Sequence, residues 1–278
     1  MHHNEPLYHV PKFKVGKYEI RRQIGRGNQA TVYEGMDTET MQTSVAIKQF
    51  WRDDTRIRPA LETYKNELNI LSKASHRNIA RLLLHEEQDS YLYIVMELCD
   101  GGDLTSYFEH SADISINSRM IMCCDACEGL LYLHHNNILH RDIKPQNLLI
   151  KNTHFHPTLV IGDYGISRFL PRGTLNPVTL TGDRGTPGWM APEVHSLENS
   201  QQTAKYNVHC DTFSLGQVLC AILTQKPGEA LEPLPGTKQY VMNINSENDN
   251  IVYNEIILGK LSYFVCCRIS IRKIQICW

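Results

Sequence analysis

Polar and apolar residues alternate in several short stretches of the first hundred positions, a pattern that predicts β-strands. The clearest of these stretches are residues 18–24, 32–34 and 44–50, and an apolar run at 91–96 predicts a further, buried strand. In the third stretch Val45 and Ile47 share one face, and Ala46 and Lys48 share the other, because successive strand residues point to opposite faces. We therefore expect Lys48 to be held on a strand whose other face is buried.

Two longer stretches follow the helical period instead. Apolar residues at Leu61, Tyr64, Leu68 and Leu71 predict a helix over 61–71, with Glu67 bordering its apolar stripe. A second stripe predicts a core helix that leads to residue 138 and consists of Met120, Cys124, Cys127, Leu131 and His134. Short apolar strands are expected at 148–150 and 159–161. The mixture predicts an α+β chain.

A glycine-rich stretch, Ile24-Gly-Arg-Gly-Asn-Gln-Ala-Thr-Val32, joins the first two predicted strands. Glycines allow a tight turn and a close approach of the main chain to phosphates. A dinucleotide-binding fold would place a helix after such a loop. Because a strand follows here, the sequence favours a glycine-rich hairpin, with Ala30 where a third glycine could stand.

The stretch Ile138-Leu-His-Arg-Asp-Ile-Lys-Pro-Gln-Asn-Leu-Leu-Ile150 concentrates the groups that phosphoryl transfer requires. Asp142 is a carboxylate that can meet an incoming hydroxyl, and Lys144 is a cation that can offset phosphate charge. Asn147 carries a carboxamide oxygen, a hard ligand suited to Mg²⁺. The alternative is a polar loop that precedes a strand and has no catalytic role.

Composition narrows the possible functions. The chain has 278 residues, 42% of them hydrophobic, and a net charge of −2, so bulk charge predicts no nucleic-acid partner. The nine cysteines contain one C-x-x-C spacing, Cys124 to Cys127, and no second one to pair with it, so Cys123, Cys124 and Cys127 are expected to be buried thiols and not a zinc site. We expect a reduced, cytoplasmic location and no membrane span.

Several of these stretches resemble, in order, the motifs of eukaryotic protein kinases. Residues 140–147 resemble the H-R-D-x-K-x-x-N catalytic loop, and residues 45–48 resemble the V-A-I-K strand. Asp163-Tyr164-Gly165 is similar to D-F-G, with tyrosine in place of phenylalanine. The sequence around Ala191-Pro-Glu193, together with Lys144 and Thr186, resembles the pattern of the serine/threonine kinases. A weaker resemblance links Gly-Trp-Met-Ala-Pro-Glu and Met-Glu-Leu-Cys to the kinase half of the unfolded-protein-response kinase/endoribonuclease family.

The resemblance implies a two-lobed protein-kinase-like fold, with an antiparallel-sheet N-lobe that carries one helix and a mainly helical C-lobe. The implied domains are a lead-in at 1–17, an N-lobe at 18–98, a hinge at 99–103, a C-lobe core at 104–225 and a divergent or incomplete segment at 226–278. ATP with Mg²⁺ would bind between the lobes. The protein substrate would supply a serine or threonine hydroxyl.

The resemblance also implies a role for each site residue. Lys48, paired with Glu67, would align the α and β phosphates; Asn147 and Asp163 would hold Mg²⁺; Asp142 and Lys144 would be catalytic. Met96 would gate the pocket, and Asp103 would either bind the ribose or cap the following helix. The implied nucleotide-binding residues are Ile24, Gly25, Arg26, Gly27, Val32, Ala46, Lys48, Glu97, Cys99, Asp103 and Leu149.

Regulation and docking are expected between Asp163 and Glu193. Thr174, Thr179 and Thr181 are candidate phosphorylation sites whose phosphate Arg141 could pair, and Thr186 would serve substrate docking. Asp211 resembles the aspartate that supports the catalytic loop from a helix.

Two alternatives to a self-sufficient kinase remain open. One is a pseudokinase or interaction module, and the other is a signalling fragment that acts through a homodimer or a partner domain. The sequence after residue 225 predicts loop, a short helix at 254–261 and strand-like alternation at 263–278. We expect Glu193 to lack the arginine that kinases normally pair with it, and the chain to be of low stability.

Overall fold

The computed structural model describes residues 13–41, 44–52, 58–88, 90–111, 114–153, 156–171, 178–180, 185–191, 194, 204–226, 232–233 and 240–241. These residues separate into two compact units. The first unit contains the described residues up to 75 together with 80–98, and the second contains residues 76–79 together with the described residues from 99 onward. The short stretch 76–79 joins the second unit because the side-chain amide of Asn78 donates to the carbonyl of Leu159 over 2.8 Å. The N–H of Ile161 donates to the carbonyl of Asn78 over 2.9 Å. The sequence had placed this stretch in the N-lobe.

The first unit is built on a six-stranded antiparallel sheet in the order β1-β2-β3-β4-β6-β5. The strands are β1 (Lys14–Val15), β2 (Tyr18–Arg26), β3 (Ala30–Asp37), β4 (Ser44–Trp51), β5 (Leu82–Glu87) and β6 (Tyr91–Glu97). One face of the sheet buries an apolar cluster that includes Val45, Ile47 and Val95. The predicted strands are therefore present, and each extends one or more residues beyond its predicted limits.

Helix α1 (Arg58–Leu71) packs on the opposite face of this sheet through β4 and β6. The ring of Tyr64 contacts the ring of Phe50 edge-on, with 5.6 Å between centroids. The predicted stripe is only partly right, because Leu61 and Leu68 are half-buried while Ile70 is fully buried. The buried face thus lies slightly to one side of the predicted one, and it brings Glu67 to the sheet.

The second unit contains three long or medium helices among its described residues: α2 (Leu104–His110), α3 (Ile116–His135) and α4 (Val208–Thr224). Helix α3 packs against α4 and against the hairpin of β8 (Leu148–Lys151) and β9 (Thr158–Ile161). Each helix begins at a side-chain cap, and these caps are Asp103, Ser115 and Asn207. Such caps satisfy main-chain N–H groups that have no partner within the helix.

Short strands complete the second unit. Strand β7 (Ile138–Leu139) pairs with β10 (Arg168–Phe169), and β11 (Val178–Leu180) pairs with β12 (Ala204–Tyr206). After residue 226 only β13 (Glu232–Pro233) and β14 (Tyr240–Val241) are described, and they pair with each other. The predicted helix at 254–261, the predicted strand at 263–278 and Glu193 lie outside the described residues.

The predicted face of helix α3 needs a correction. Met120, Cys124, Leu131 and His134 are only half-buried. The residues that are fully buried lie one or two positions away and include Met122, Cys123, Ala126, Leu130 and Leu133. The helix is covered on both sides by α4 and the β8–β9 hairpin, so apolar residues surround most of it and a single stripe could not be identified from spacing.

Two of the three cysteines that were predicted to be buried are buried. Cys123 and Cys127 are buried and Cys124 is half-buried. Burial raises the pKa of the Cys123 thiol and raises that of Cys220 to about 11, so both are neutral thiols at physiological pH. Within the described part of the chain, no three His, Cys, Asp or Glu side chains are grouped to hold a metal ion. The helices described here also include none with the length and hydropathy needed to cross a membrane.

Candidate active site

The loop between β7 and the 3-10 turn Pro145–Asn147 carries the predicted catalytic residues, and the carboxylate of Asp211 holds it in place. The main-chain N–H of His140 donates to Asp211 Oδ2 over 2.8 Å, and that of Arg141 donates to Oδ1 over 2.7 Å. Arg141 has a φ of 71°, a left-handed conformation that is unfavourable for a side chain of this size. The two hydrogen bonds compensate for this strain, so Asp211 on α4 fixes the backbone that precedes Asp142.

Asp211 is itself held by a neighbouring histidine. His134 Nε2 lies 3.0 Å from Asp211 Oδ2. Burial alone raises the pKa of Asp211, but the hydrogen bond and charge of His134 and the N–H of His140 outweigh it, so the pKa lies below its ordinary value. The carboxylate is therefore ionised at neutral pH and available to the loop.

Asp142 lies at the centre of a closed polar cluster that includes Lys144, Asn147 and Thr186. Lys144 Nζ is 2.7 Å from Asp142 Oδ2 and donates to the hydroxyl of Thr186 over 2.6 Å. The same hydroxyl donates to Asp142 Oδ1 over 2.8 Å. A hydroxyl can therefore donate to this carboxylate while a cation contacts its oxygen, which is the arrangement that proton removal and charge compensation require.

Asn147 presents its amide nitrogen to Asp142. Its Nδ2 donates to the main-chain carbonyl of Asp142 over 2.8 Å and to Oδ2 over 2.9 Å. Because the nitrogen is used in this way, the carbonyl Oδ1 is the atom of this side chain that suits a hard cation. The orientation fits the predicted role of Asn147 as a magnesium ligand.

Asp163 follows β9 and is joined to the catalytic loop through the main chain. The N–H of Gly162 donates to the carbonyl of Asn147 over 2.9 Å, and His140 Nε2 lies 3.0 Å from the carbonyl of Gly162. Asp163 adopts a φ of 58° and its side chain is exposed. Strand β9 is buried, whereas the Asp163 residue that follows it is exposed. The carboxylate of Asp163 is therefore a hard oxygen ligand on a fixed strand end, and that strand end is hydrogen-bonded to the segment that carries Asn147.

Tyr164, which stands where the family has phenylalanine, is accommodated by a specific hydrogen bond. The side chain is fully buried, and its hydroxyl donates to the carbonyl of Ile161 over 2.6 Å. Its ring packs edge-on against that of His140, with 5.3 Å between centroids. The extra phenolic group therefore has the partner that a buried hydroxyl needs.

The other predicted ion pair lies in the first unit. Lys48 Nζ on β4 contacts Glu67 Oε2 on α1 over 2.7 Å, and Glu67 is 0% exposed. Lys48 also lies over the ring of Phe50, 5.4 Å from its centroid. Glu67 is therefore not the solvated helix charge that its sequence context alone would favour. Its buried carboxylate orients the ammonium.

The glycine-rich stretch forms the turn between β2 and β3, so no helix follows it. Gly25 pairs with Val32, and Arg26 pairs with Thr31. The turn is closed by a hydrogen bond from the N–H of Gly27 to the carbonyl of Ala30, over 2.9 Å. This hairpin agrees with the sequence interpretation and not with a dinucleotide-binding loop.

The remaining predicted nucleotide-binding residues are divided between the units. In the first unit Ile24 is 41% exposed on β2, Val32 and Ala46 are half-buried on β3 and β4, and Glu97 ends β6. The N–H of Glu97 already donates to the carbonyl of Arg81 over 3.0 Å. Cys99, Asp103 and Leu149 belong to the second unit.

Asp103 caps helix α2, which was one of the two roles considered for it. Its Oδ1 accepts from the N–H groups of Thr105 and Ser106 over 3.0 and 3.1 Å. Its main chain forms an isolated antiparallel bridge with Leu149. The structure thus places these two predicted residues side by side, while ribose binding by Asp103 stays a prediction.

The predicted regulatory residues are only partly described. Thr174 and Thr181 lie outside the described residues, and Thr179 is described only by its main chain, which pairs with Lys205. Arg141 is 7% exposed, and its guanidinium lies 4.0 Å above the ring of Tyr206. Its Nη1 donates to the carbonyl of Ile166 over 3.3 Å. Nε and Nη2 have no hydrogen-bond partner within the part of the chain that the structure describes.

Sequence reasoning missed two supporting residues in the second unit, Ser167 and Asp125. Ser167 Oγ donates to the carbonyl of His140 over 3.0 Å, which joins the segment after Asp163 to the catalytic loop. Asp125 on α3 accepts from the N–H of Leu159 over 3.1 Å and pairs with Arg77 over 3.0 Å. The sequence signal that could have drawn attention to Asp125 is an acidic residue placed among Cys123, Cys124, Ala126 and Cys127.

Comparison with known proteins agrees with this geometry. The signature of the family described as "Protein kinase domain" matches residues 18–253. The chain belongs to the protein kinase family. This membership confirms the predicted α+β, protein-kinase-type fold class. The family match continues past residue 225, where the sequence resemblance had been expected to end.

Similar proteins are serine/threonine kinases. The chain is 30% identical over 253 residues to "Serine/threonine-protein kinase atg1" of Dictyostelium discoideum, covering 87% of this chain and 36% of the relative. It is 30% identical over 286 residues to ATG1 of Komagataella pastoris, with 89% and 34% covered, and 34% identical over 212 residues to ATG1b of Arabidopsis thaliana, with 76% and 28% covered. The chain thus spans about a third of the length of these relatives. The predicted serine/threonine type is confirmed, whereas the narrower resemblance to the unfolded-protein-response kinases is not supported by them.

Proposed function

We propose that this chain transfers the γ-phosphoryl group of ATP to serine or threonine hydroxyls of protein substrates. The observation that carries the proposal is the contact of one hydroxyl, that of Thr186, with both Asp142 and Lys144. It demonstrates that a hydroxyl fits between an acceptor carboxylate and a cation at this loop. The serine/threonine names of the ATG1 relatives support the same substrate class.

Asp142 would orient the substrate hydroxyl and accept its proton. The hydroxyl oxygen forms a bond to the γ-phosphorus, the bond from that phosphorus to the bridging oxygen breaks, and ADP leaves. Lys144 would contact the transferred group, where its ammonium offsets negative charge as the new bond forms. Both side chains are already held by contacts within the cluster, so little reorganisation is needed.

Lys48 would bind the α and β phosphates, and Glu67 would keep its ammonium in place. The buried position of Glu67 supports this role, because a buried carboxylate without a cation would be strongly unfavourable. Ala46, on the same face of β4 as Lys48, would leave room for adenine. The N–H of Glu97 already donates to the carbonyl of Arg81, so the carbonyl of Glu97 would be the group that accepts a hydrogen bond from the adenine base.

Asn147 and Asp163 would hold Mg²⁺. Both offer hard oxygens, and Asn147 is oriented so that its oxygen and not its nitrogen is available. The ion would neutralise phosphate charge when ATP is bound. The chemistry of both side chains therefore fits the family's cofactor.

Regulation by phosphorylation at Thr179 or Thr181 is a further part of the proposal. Arg141 supports it, since two of its guanidinium nitrogens have no hydrogen-bond partner among the described residues. A phosphate could supply charge-assisted hydrogen bonds to both. Thr186, which contacts Asp142, would act in substrate docking. We also propose a cytoplasmic location, supported by the free, unbridged thiols of the described cysteines.

The test is transfer of radiolabelled phosphate from [γ-³²P]ATP to an arrayed library of serine- and threonine-containing peptides. We expect label on hydroxyl peptides and none on alanine counterparts. A pseudokinase would bind nucleotide without labelling any peptide. The contacts of Lys48 with Glu67 and of Lys144 with Asp142 support phosphoryl transfer over that alternative.

A further inference from the structure

One hydrogen bond joins the glycine-rich turn of the first unit to helix α1. The hydroxyl of Thr63 on α1 donates to Gln29 Oε1 over 2.5 Å, and 34 positions separate the two residues in the chain. Thr63 is 6% exposed, and Gln29 is half-buried. Neither side chain has a role in the phosphoryl transfer proposed for this chain, so the contact needs an explanation of its own.

The direction of the Thr63 hydroxyl is unusual for a threonine inside a helix. Such a hydroxyl commonly donates to a main-chain carbonyl one turn earlier in its own helix. Thr212 and Thr224 on α4 do so, donating over 2.9 and 2.8 Å to the carbonyls four residues before them. A hydroxyl has one proton to donate. At Thr63 that proton is therefore used to bind the turn and not the helix.

Thr63 shares the buried face of α1 with Glu67, because residues four apart lie on the same face of a helix. Glu67 contacts Lys48 on β4 over 2.7 Å. Lys48 is in turn directly opposite Val32 on β3, the strand that begins where the glycine-rich turn ends. The turn, α1, β4 and β3 thus form a closed ring of contacts, and the Lys48–Glu67 pair is one link of it.

The rest of the turn is open to solvent. Arg26, Gly27 and Asn28 are exposed, and backbone with few buried contacts is rearranged at little cost in free energy. The N–H of Gly27 donates to the carbonyl of Ala30, which closes the turn on itself without fixing it to another element. Gln29 is therefore the residue through which the turn is connected to α1.

We propose that Gln29 and Thr63 are positioning residues, which make the glycine-rich turn and the Lys48–Glu67 pair adopt their nucleotide-binding arrangement together. This rests on the proposed function, since it takes the turn and Lys48 to contact the phosphates of ATP. A turn that is already fixed to α1 loses less conformational freedom when the nucleotide binds, so the affinity is higher. The coupling is reciprocal, and a bound nucleotide should also stabilise α1 where Glu67 meets Lys48.

A double-mutant cycle tests the contact. The affinity of the full chain for AMP-PNP with Mg²⁺, an ATP analogue that resists transfer, is measured by isothermal titration calorimetry. Thr63→Val removes the hydroxyl and keeps the shape of the side chain, and Gln29→Met removes the acceptor and keeps its length. Each should weaken binding about fivefold, the size expected from one hydrogen bond. The double variant should also lose about fivefold and not about 25-fold, because both changes remove the same contact.

Two comparisons separate positioning from a general loss of structure. Adenosine has no phosphates, so its affinity should stay within about twofold of the parent value in every variant. Thr63→Ser keeps the hydroxyl and should restore the affinity for AMP-PNP. Thr38→Val is the matched control, because the hydroxyl of Thr38 also makes a hydrogen bond in this unit, to the carbonyl of Lys17 over 2.9 Å. It should leave the affinity for AMP-PNP unchanged.

Hydrogen exchange measures the coupling itself. In the parent chain, saturating AMP-PNP should slow amide exchange both in the turn and in α1. In Thr63→Val, saturating AMP-PNP should slow exchange in the turn and have a smaller effect in α1, because the connection between the two is absent. Equal slowing in α1 of both chains would overturn the proposal.

The affinities can overturn it as well. A loss of about 25-fold in the double variant would show that Gln29 and Thr63 act independently. An AMP-PNP affinity that Thr63→Val leaves unchanged, or an equal loss of adenosine affinity, would have the same consequence. A parent chain that binds no AMP-PNP would overturn this proposal and the proposed function together. A chain that shows the expected variant effects but labels no peptide would overturn the proposed transfer alone.

Discussion

The hydroxyl of Thr186 donates to Asp142 Oδ1 over 2.8 Å although 44 residues separate them in the chain. Lys144 donates to the same hydroxyl. The segment that carries Thr186 is therefore hydrogen-bonded to two side chains of the catalytic loop, one of them the carboxylate of Asp142. The contact joins the proposed substrate-docking segment to the proposed proton acceptor. Its loss should therefore affect turnover more than folding.

Replacing Thr186 by alanine should lower kcat about tenfold, because the segment loses both hydrogen bonds that position it. Thr186→Ser keeps the hydroxyl and should stay within about threefold of the parent chain. Steady-state kinetics with a peptide substrate measures the difference. Equal turnover of the alanine and serine variants would show that the hydroxyl has no part in the site.

Replacing Lys48 by methionine should reduce turnover about a hundredfold at saturating ATP, since misplacement of the phosphates by about 1 Å has an effect of that size. It also leaves Glu67 as a buried carboxylate without its cation, so thermal stability should fall as well. Lys65→Met, on the exposed side of α1, is the matched control and should leave both properties unchanged. A Lys48→Met variant with parental turnover would remove Lys48 from the mechanism.

Asp211 should make folding stability depend on pH. Because its folded pKa is lowered, its stabilisation is fully present above the unfolded value of about 4 and is lost as pH falls through the folded value. Asp211→Asn should lower the free energy of unfolding at pH 7 by about 3 kcal/mol, since the loop N–H groups and His134 lose a charged acceptor.

The difference in free energy of unfolding between the parent and Asp211→Asn should become smaller as pH falls below about 4. Urea unfolding at a series of pH values measures it, with Glu109→Gln as an exposed-carboxylate control. A difference that stays constant from pH 7 to pH 3 would contradict the role given to the ionised Asp211.

Phosphorylation at Thr179 or Thr181 should raise turnover, and the response should require Arg141. Arg141→Ala should abolish the increase, because the phosphate loses the guanidinium that would order the segment. Mass spectrometry of active and inactive fractions, combined with kinetics, tests this. Full activity in a chain whose segment carries no phosphate would speak against it, as would activation of the Arg141→Ala variant.

Local features of the site could be predicted from the sequence because they depend on a few neighbouring residues. The strand that carries Lys48, the hairpin around Gly25 and Gly27, and the loop that carries Asp142 all follow from alternation, glycine placement and the order of polar groups. The pairing of Lys48 with Glu67 is different, since it joins a strand to a helix. Only the resemblance to kinases predicted it, and the structure shows the contact.

Other features could not be read from spacing because they depend on long-range packing. The buried face of α3 is covered by α4 and a hairpin on different sides, so its apolar residues do not form one stripe. The partner that makes Tyr164 acceptable as a buried residue is a main-chain carbonyl, that of Ile161, which no side-chain pattern reveals. From the sequence, Asp103 could either cap helix α2 or bind the ribose. The hydrogen bonds from the N–H groups of Thr105 and Ser106 to its carboxylate show that it caps the helix.

Asp142→Asn is the variant that tests the central claim most directly, with Asp100→Asn, an exposed carboxylate of the same unit, as its matched control. Nucleotide affinity and the rate of ³²P transfer to a threonine peptide should be measured on both variants and on the parent chain. We expect Asp142→Asn to bind ATP within about twofold of the parent and to lose at least about a hundredfold in transfer rate, the usual contribution of a general base. An Asp142→Asn chain that transfers phosphate at the parental rate would contradict the account.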